Sequence, residues 1–145
     1  MFGIFPEKHA IQIENEIFLP ASIIIDDFQE SMNIPLTYWN IVDYKKSWLR
    51  SLKEGLEKRN HAALAVSMYD PNLVNFVFVW VIYFESEIAC VQNSIIFLEE
   101  YNDFNPNKLN EYIDTRTTHD EDGMKISEWS TDFSSVVNFY NSLND

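Results

Sequence analysis

An α+β fold is predicted by three features of the chain. Residues 62–98 hold three long apolar runs, AALAVSMY, LVNFVFVWVIYF and EIACVQNSIIFL, separated by Asp70-Pro71-Asn72 and Glu85-Ser86-Glu87. Long strands joined by short turns of these residue types make an antiparallel meander. Before and after them, residues 41–59 and 131–143 repeat their apolar positions every three or four residues, the spacing of a helix stripe. No repeat, low-complexity tract or linker divides the chain. The expectation is a single domain over residues 1–145, an antiparallel sheet of about five strands packed with about three helices.

Taken in order, IQIENEIFLP and ASIIIDDF are two β-branched stretches divided at Pro20 and read as two strands, with NIPLTYW as the turn after them. Asn40, with an acid at Asp43, is an N-cap signal. Tyr44, Trp48, Leu49, Leu52 and Leu56 then form the inner stripe of a helix from Ile41 to Arg59, with Lys45, Lys46, Arg50 and Lys53 outside. In the middle strand of the meander, Phe76, Phe78, Trp80, Ile82 and Phe84 alternate with Val77, Val79, Val81 and Tyr83. Both faces are apolar, so the strand is expected to be central and covered on each side. Asn105-Pro106 opens a short helix carrying Leu109, Tyr112 and Ile113. Met124 to Trp129 reads as a last strand, and Thr131 or Asp132 caps a final helix striped by Phe133, Val136, Val137, Tyr140 and Leu143.

Composition narrows the function. The chain has 46% hydrophobic and 15% aromatic residues, enough for a real core, and 23 acids against 10 bases, a net charge of -13. Phosphate binding needs clustered Lys and Arg, so direct contact with DNA or RNA is not expected and a basic partner is. MFGIFPEKHA has no basic n-region or long apolar h-region, and the nine-residue run FVFVWVIYF is too short for a membrane helix. A cytoplasmic protein with no membrane partner is expected. Cys90, the only cysteine, fits that compartment and reads as a small buried residue of a strand.

The acidity is concentrated. Residues 85–122 hold ten acids and two bases, a net -8, whereas residues 41–60 hold six bases and three acids, a net +3. Such a segment is either ordinary solvated surface or a one-signed face that steers a basic partner. Within it, RTTHDEDGMKISEW, Arg116 to Trp129, is the stretch most open to a chemical reading. As a calcium loop it puts Thr118 at position one, where an acid belongs, and Trp129 at position twelve, where a bidentate Glu belongs. His9, His61 and His119 are scattered, so no metal site is expected. With three glycines there is no phosphate-cradling loop, and no cofactor is expected. His119 beside Asp120 leaves open a small hydrolase or transferase, and helix 41–59 with Trp48 leaves open a nucleic-acid module. Trp129 is either core or an interface anchor.

MFGIF, PLTYW at 35–39, DYKKSWLRSL at 43–52, ALAVSMYDP at 63–71 and RTTHDEDGMKISEW at 116–129 together resemble the immunity proteins of bacterial contact-dependent growth inhibition systems. In particular they resemble the immunity partners of CdiA toxins whose C-terminal domain is a nuclease cleaving 16S ribosomal RNA. The resemblance runs along nearly the whole chain. It implies a small, non-enzymatic cytoplasmic protein that binds one CdiA C-terminal toxin domain in a 1:1 complex and neutralises it. A nuclease offers basic side chains to RNA, and an acidic protein competes for that surface. On that reading Glu99, Glu100, Asp103, Asp114, Asp120, Glu121 and Asp122 supply steering and ion pairs, with Tyr101 and Trp129 as anchors.

Overall fold

A computed structural model describes residues 1–144. It keeps the α+β class but has, among the described residues, eight strands in two antiparallel sheets where one sheet of about five was expected, and two α-helices where about three were. The surplus strands lie mostly in the first forty residues. These form β1 (Phe2–Pro6), β2 (Ile11–Ile13), β3 (Glu16–Ile25) and β4 (Phe28–Pro35), with β3 central, β4 along one side and β1 and β2 sharing the other.

Pro20 does not break β3, for a local reason. β1 pairs with residues 21–25 of β3 and β2 with residues 16–18, so Pro20 falls in the gap between them. Its carbonyl points into that gap and accepts from the Glu7 N–H at 2.8 Å, so the N–H that proline lacks also faces the gap, beyond the paired residues of β1 and β2, and costs only the return bond of that pair. Two-residue turns at Glu14-Asn15 and Asp26-Asp27, with positive φ at Glu14 and Asp26, close the hairpins on either side.

Helix α1 (Ile41–Lys58) starts where the capping signal puts it: Asn40 Oδ1 accepts from the Asp43 N–H at 2.9 Å, and Asp43 accepts from the Asn40 N–H at 3.0 Å. The meander follows as β5 (His61–Ser67), β6 (Phe76–Glu85), β7 (Ile88–Phe97) and β8 (Trp129–Asp132), ordered β5-β6-β7-β8. β6 is internal, as its two apolar faces require. Trp80 and Phe84 meet Trp129 and Phe133 on one face, while Tyr83 reaches the Asp114 carbonyl on the other. The expected strand at 124–129 instead returns through a small hairpin and pairs with β7 only from Trp129. The helix expected after Pro106 is a 3-10 turn, Leu109–Tyr112, because Asn105 bonds the Asn107 N–H and the Asn110 side chain is drawn to β5. Helix α2 (Phe133–Leu143) buries Val136 and Phe139, and Phe139 packs on Phe2 and Trp48.

β5 is an edge strand closed by side chains. The Trp48 indole N–H donates to the Ala65 carbonyl at 2.8 Å, Asn110 Oδ1 accepts from the Ala63 N–H at 2.7 Å, and the Tyr44 hydroxyl accepts from the Met68 N–H at 2.9 Å. The same Tyr44 hydroxyl donates to the Pro35 carbonyl at 2.8 Å. Gly55 lets α1 lie this close, since a β-carbon there would collide with the His61 carbonyl, whose carbon would be 2.9 Å away. Gly55→Ala is therefore expected to lower stability by about 1–3 kcal/mol, although alanine favours helices by about 1 kcal/mol. Urea unfolding checks this, and an unchanged or raised midpoint would mean that the contact yields without cost. Asn110→Ala should cost about 1–3 kcal/mol by orphaning the buried Ala63 N–H, read as a lower midpoint at unchanged slope.

Candidate functional site

The acidic segment is built on aromatic footings. After β7, Leu98 is buried and its N–H donates to the Asn75 carbonyl at 2.8 Å, which throws Glu99 and Glu100 outward on a 3-10 turn. Tyr101 packs edge-on against Tyr112, with ring centroids 4.6 Å apart, and Phe104 lies 4.9 Å from the same ring. The Tyr112 hydroxyl accepts from the Asn105 N–H at 2.7 Å and pins the turn that exposes Asp103. Asp114 is exposed, and the Tyr83 hydroxyl holds its carbonyl at 3.3 Å. Burial first, and then Asp114, push the Tyr83 and Tyr101 hydroxyls above their ordinary pKa, with Glu100 adding to the effect at Tyr101. Glu100, Tyr101 and Asp114 line one groove of about 380 Å³ beside β7, and no Lys, Arg or His lines it.

Residues 118–126 form a separate hairpin. His119 bridges to Lys125, and the Ile126 N–H donates to the Thr118 carbonyl at 2.9 Å. Asp120 serves the turn itself: its Oδ1 accepts from the Asp122 N–H at 3.0 Å and the Met124 N–H at 2.9 Å, while Gly123 takes the positive φ of 80°. Glu121 and Asp122 stand exposed at the tip with no side-chain bond of their own among the described residues.

Arg116 and Glu128 hold this hairpin against β7. Arg116 grips Glu128 through two nitrogens at 2.9 and 2.6 Å and approaches Glu85 at 3.8 Å. The Gln92 side chain bonds both Glu128, at 2.6 Å, and the Thr117 carbonyl, at 3.0 Å. With side chains only 29% and 19% exposed, this bidentate pair is firmer than a surface ion pair. Arg116 beside it, outweighing desolvation, holds the Glu128 carboxyl below the usual carboxylate range. Nothing in the sequence marks the pair directly, since twelve positions separate its members along an irregular segment.

Trp129 does not project from this face. It stacks on Phe28 at 4.2 Å and meets Trp80 at 5.7 Å, closing the seam between the two sheets. Among the expected site residues, the structure thus gathers Glu100, Tyr101 and Asp114 in one groove, sets Glu99 and Asp103 on the turns beside it, and carries Asp120, Glu121 and Asp122 on the hairpin.

The two rival chemistries meet physical obstacles. His119 is exposed, its Nδ1 lies 3.0 Å from the Thr118 hydroxyl, and the neighbouring Asp120 carboxylate is engaged by its own turn. Trp48 is fully buried with its N–H bonded, so it offers no face for a base to stack on. Cys90 is 8% exposed, and burial raises its thiol pKa, the reverse of what a nucleophile needs. Among the described residues no three His, Cys, Asp or Glu side chains converge as metal ligands, and no helix is long and apolar enough to cross a membrane.

Known proteins resemble this chain along its length. The immunity protein CdiI of Enterobacter cloacae is 56% identical over 145 residues, spanning all of both chains. A chain of the solved CdiA-CT/CdiI toxin and immunity complex from Enterobacter cloacae superposes with a TM-score of 0.95 at 56% identity, covering 99% of each chain. The family model described as CdiI N-terminal domain matches residues 34–139. A model that fits most of the chain and a relative alike from end to end give the same assignment: the chain belongs to the CdiI N-terminal domain family.

Proposed function

We propose that this chain is an immunity protein that binds the C-terminal toxin domain of its cognate CdiA protein one to one in the cytoplasm and neutralises it. The toxin domain is a basic nuclease acting on ribosomal RNA, and the immunity protein works by occupying its RNA-facing surface, without catalysis. The observation that carries this reading is the acidic face of residues 99–122, whose groove is lined by carboxylates and tyrosines and by no cation. Whole-length similarity to an immunity protein supports the same reading. Steering by such a face raises the encounter rate with a cationic partner, and close ion pairs then fix the register.

Titration of the purified chain into its cognate CdiA C-terminal domain, with ribosomal RNA cleavage followed in parallel, tests the reading. Stoichiometric loss of cleavage is expected, and uninhibited cleavage at a several-fold excess of this chain would end it. Charge reversal locates the steering. The double variant Glu121→Lys/Asp122→Lys spares the Asp120 turn and is expected to slow association about tenfold at low salt and flatten its salt dependence. An unchanged on-rate would remove the hairpin tip from the encounter surface.

The Arg116–Glu128 pair adds a pH dependence. Because the carboxyl is lowered in the folded state, its stabilising effect is complete above the unfolded pKa of about 4.3 and is lost as pH falls through the lower folded value. The stability gap between the parent chain and Arg116→Met should thus be widest near neutrality and close below about pH 4. Unfolding midpoints across that range measure it, and a gap independent of pH would assign the arginine's effect to packing alone.

A further inference from the structure

β7 is paired along both sides for only half its length. β8 covers Ile88 to Val91, and beyond Gln92 the outer edge of β7 has no backbone partner among the described residues. Which groups face outward follows from β5. The Ala63 N–H and the Ala65 carbonyl point away from β6, so their partners Val81 and Val79 bond toward β7, to Gln92 and Ser94. By alternation, Asn93, Ile95 and Phe97 turn their N–H and C=O groups to the open edge. A free edge of this kind is a template for another strand.

Three further observations describe what would fill it. Successive side chains of an added strand point to opposite faces, and the open edge has a groove on each face. One, of about 500 Å³, is lined by Met32, Tyr69, Phe78 and Trp80, and the other is the Glu100–Tyr101–Asp114 groove. Neither lining contains a Lys, Arg or His, while the first carries Glu30 and has the Glu16 carboxylate acting on Tyr69. At their mouths Phe78, Ile95 and Phe97 are 41%, 41% and 48% exposed, although residues of these types are usually core. Acids beside exposed aromatics suit cationic side chains, which gain both from the carboxylates and from the ring faces. A second copy of this chain would bring the same acids and the same net -13 against them.

Resting on the immunity reading above, we infer that an extended basic segment of the CdiA toxin domain adds as a strand to the Asn93–Phe97 edge of β7, its alternate side chains entering the two grooves. Backbone pairing then supplies much of the affinity and the grooves supply the choice of partner.

The test is amide hydrogen exchange of the full chain, read by NMR, free and bound to its cognate CdiA C-terminal domain. Asn93, Ile95 and Phe97 should become protected in the complex, at least tenfold more than Ser94 and Ile96, whose N–H groups are already bonded to β6. Ile95→Pro removes an outward N–H, which an edge strand tolerates, together with the Ile95 side chain at the groove mouths, and should weaken binding roughly 30-fold, several-fold more than Ile95→Ala, which keeps the N–H. Tight binding with the three amides unchanged would overturn the inference and leave the immunity reading intact. Protection already present in the free chain, rising with concentration alongside a dimer in sedimentation, would overturn it by making a second copy the occupant. No binding at all would remove the immunity reading and this inference with it.

Discussion

The outer edge of β5 is the place on which the rest of the fold depends. An edge strand leaves a row of N–H and C=O groups that must be satisfied, and burying them without partners costs more than a bond gains. Here three side chains do the work of a neighbouring strand: Trp48 takes the Ala65 carbonyl, Asn110 the Ala63 N–H and Tyr44 the Met68 N–H. These bonds tie α1 and the 3-10 turn to the second sheet, and Tyr44 ties both to the end of β4 through the Pro35 carbonyl. One constraint thereby joins the two sheets, the long helix and the acidic segment, since Asn110 also donates to the Ser51 carbonyl at 3.0 Å. Asn110 lies in the middle of the acidic segment, which starts from Leu98 bonded to the Asn75 carbonyl and is held again at Asp114 by the Tyr83 hydroxyl.

The two edges of the second sheet are treated in opposite manner. β5 is sealed by buried side chains from residues far apart in sequence. At the other side β8 seals only one half of β7, and between β7 and β8 the chain leaves the sheet to form the turns and hairpin that carry the acids. A sheet normally protects such an edge with charge or with a covering loop. Here the charges stand beside the edge rather than on it, and the apolar side chains Ile95 and Phe97 point out. That combination discourages self-association by like charge while leaving the edge accessible to a cationic chain, a division of labour that fits the proposed immunity function.

How much of this was legible in the sequence depended on whether the signal was local. The α1 boundaries were legible because Asn40 and Asp43 cap each other within three residues, and the meander was legible because its turns are short. Pro20 misled, since its tolerance inside β3 depends on a gap between β1 and β2 that only the assembled sheet reveals. The turn at Glu14-Asn15 that splits IQIENEIFLP into two strands and the polar β4 were missed for the same reason: partners, not propensity, make these strands. Phe139, absent from the expected helix stripe, is buried because Phe2 and Trp48 come to it from elsewhere in the chain. At the site, the acidic character of residues 99–122 was plain from composition. Trp129 was harder, because an aromatic beside acids reads the same whether it faces a partner or, as it does here, Phe28.

Charge and edge act on different steps of the proposed association. Exposed carboxylates at the ends of turns, such as Glu121 and Asp122, pay little desolvation and act over roughly a Debye length, about 8 Å in physiological salt, so their effect falls on encounter. Backbone groups along β7 and the apolar walls beside them act only at contact, so their effect falls on dissociation, where most affinity differences between related complexes arise. Recognition of one toxin among several basic ones then rests on the second set, because a cationic surface is common to all nucleases, whereas the side chains that fit two particular grooves are not. Variation at Tyr69 and Phe78, which line the first groove and lie outside the core cluster, would change the partner without touching the β5 seal, the core or the acidic steering face. The fold thus separates the residues that hold it together from those that choose what it binds.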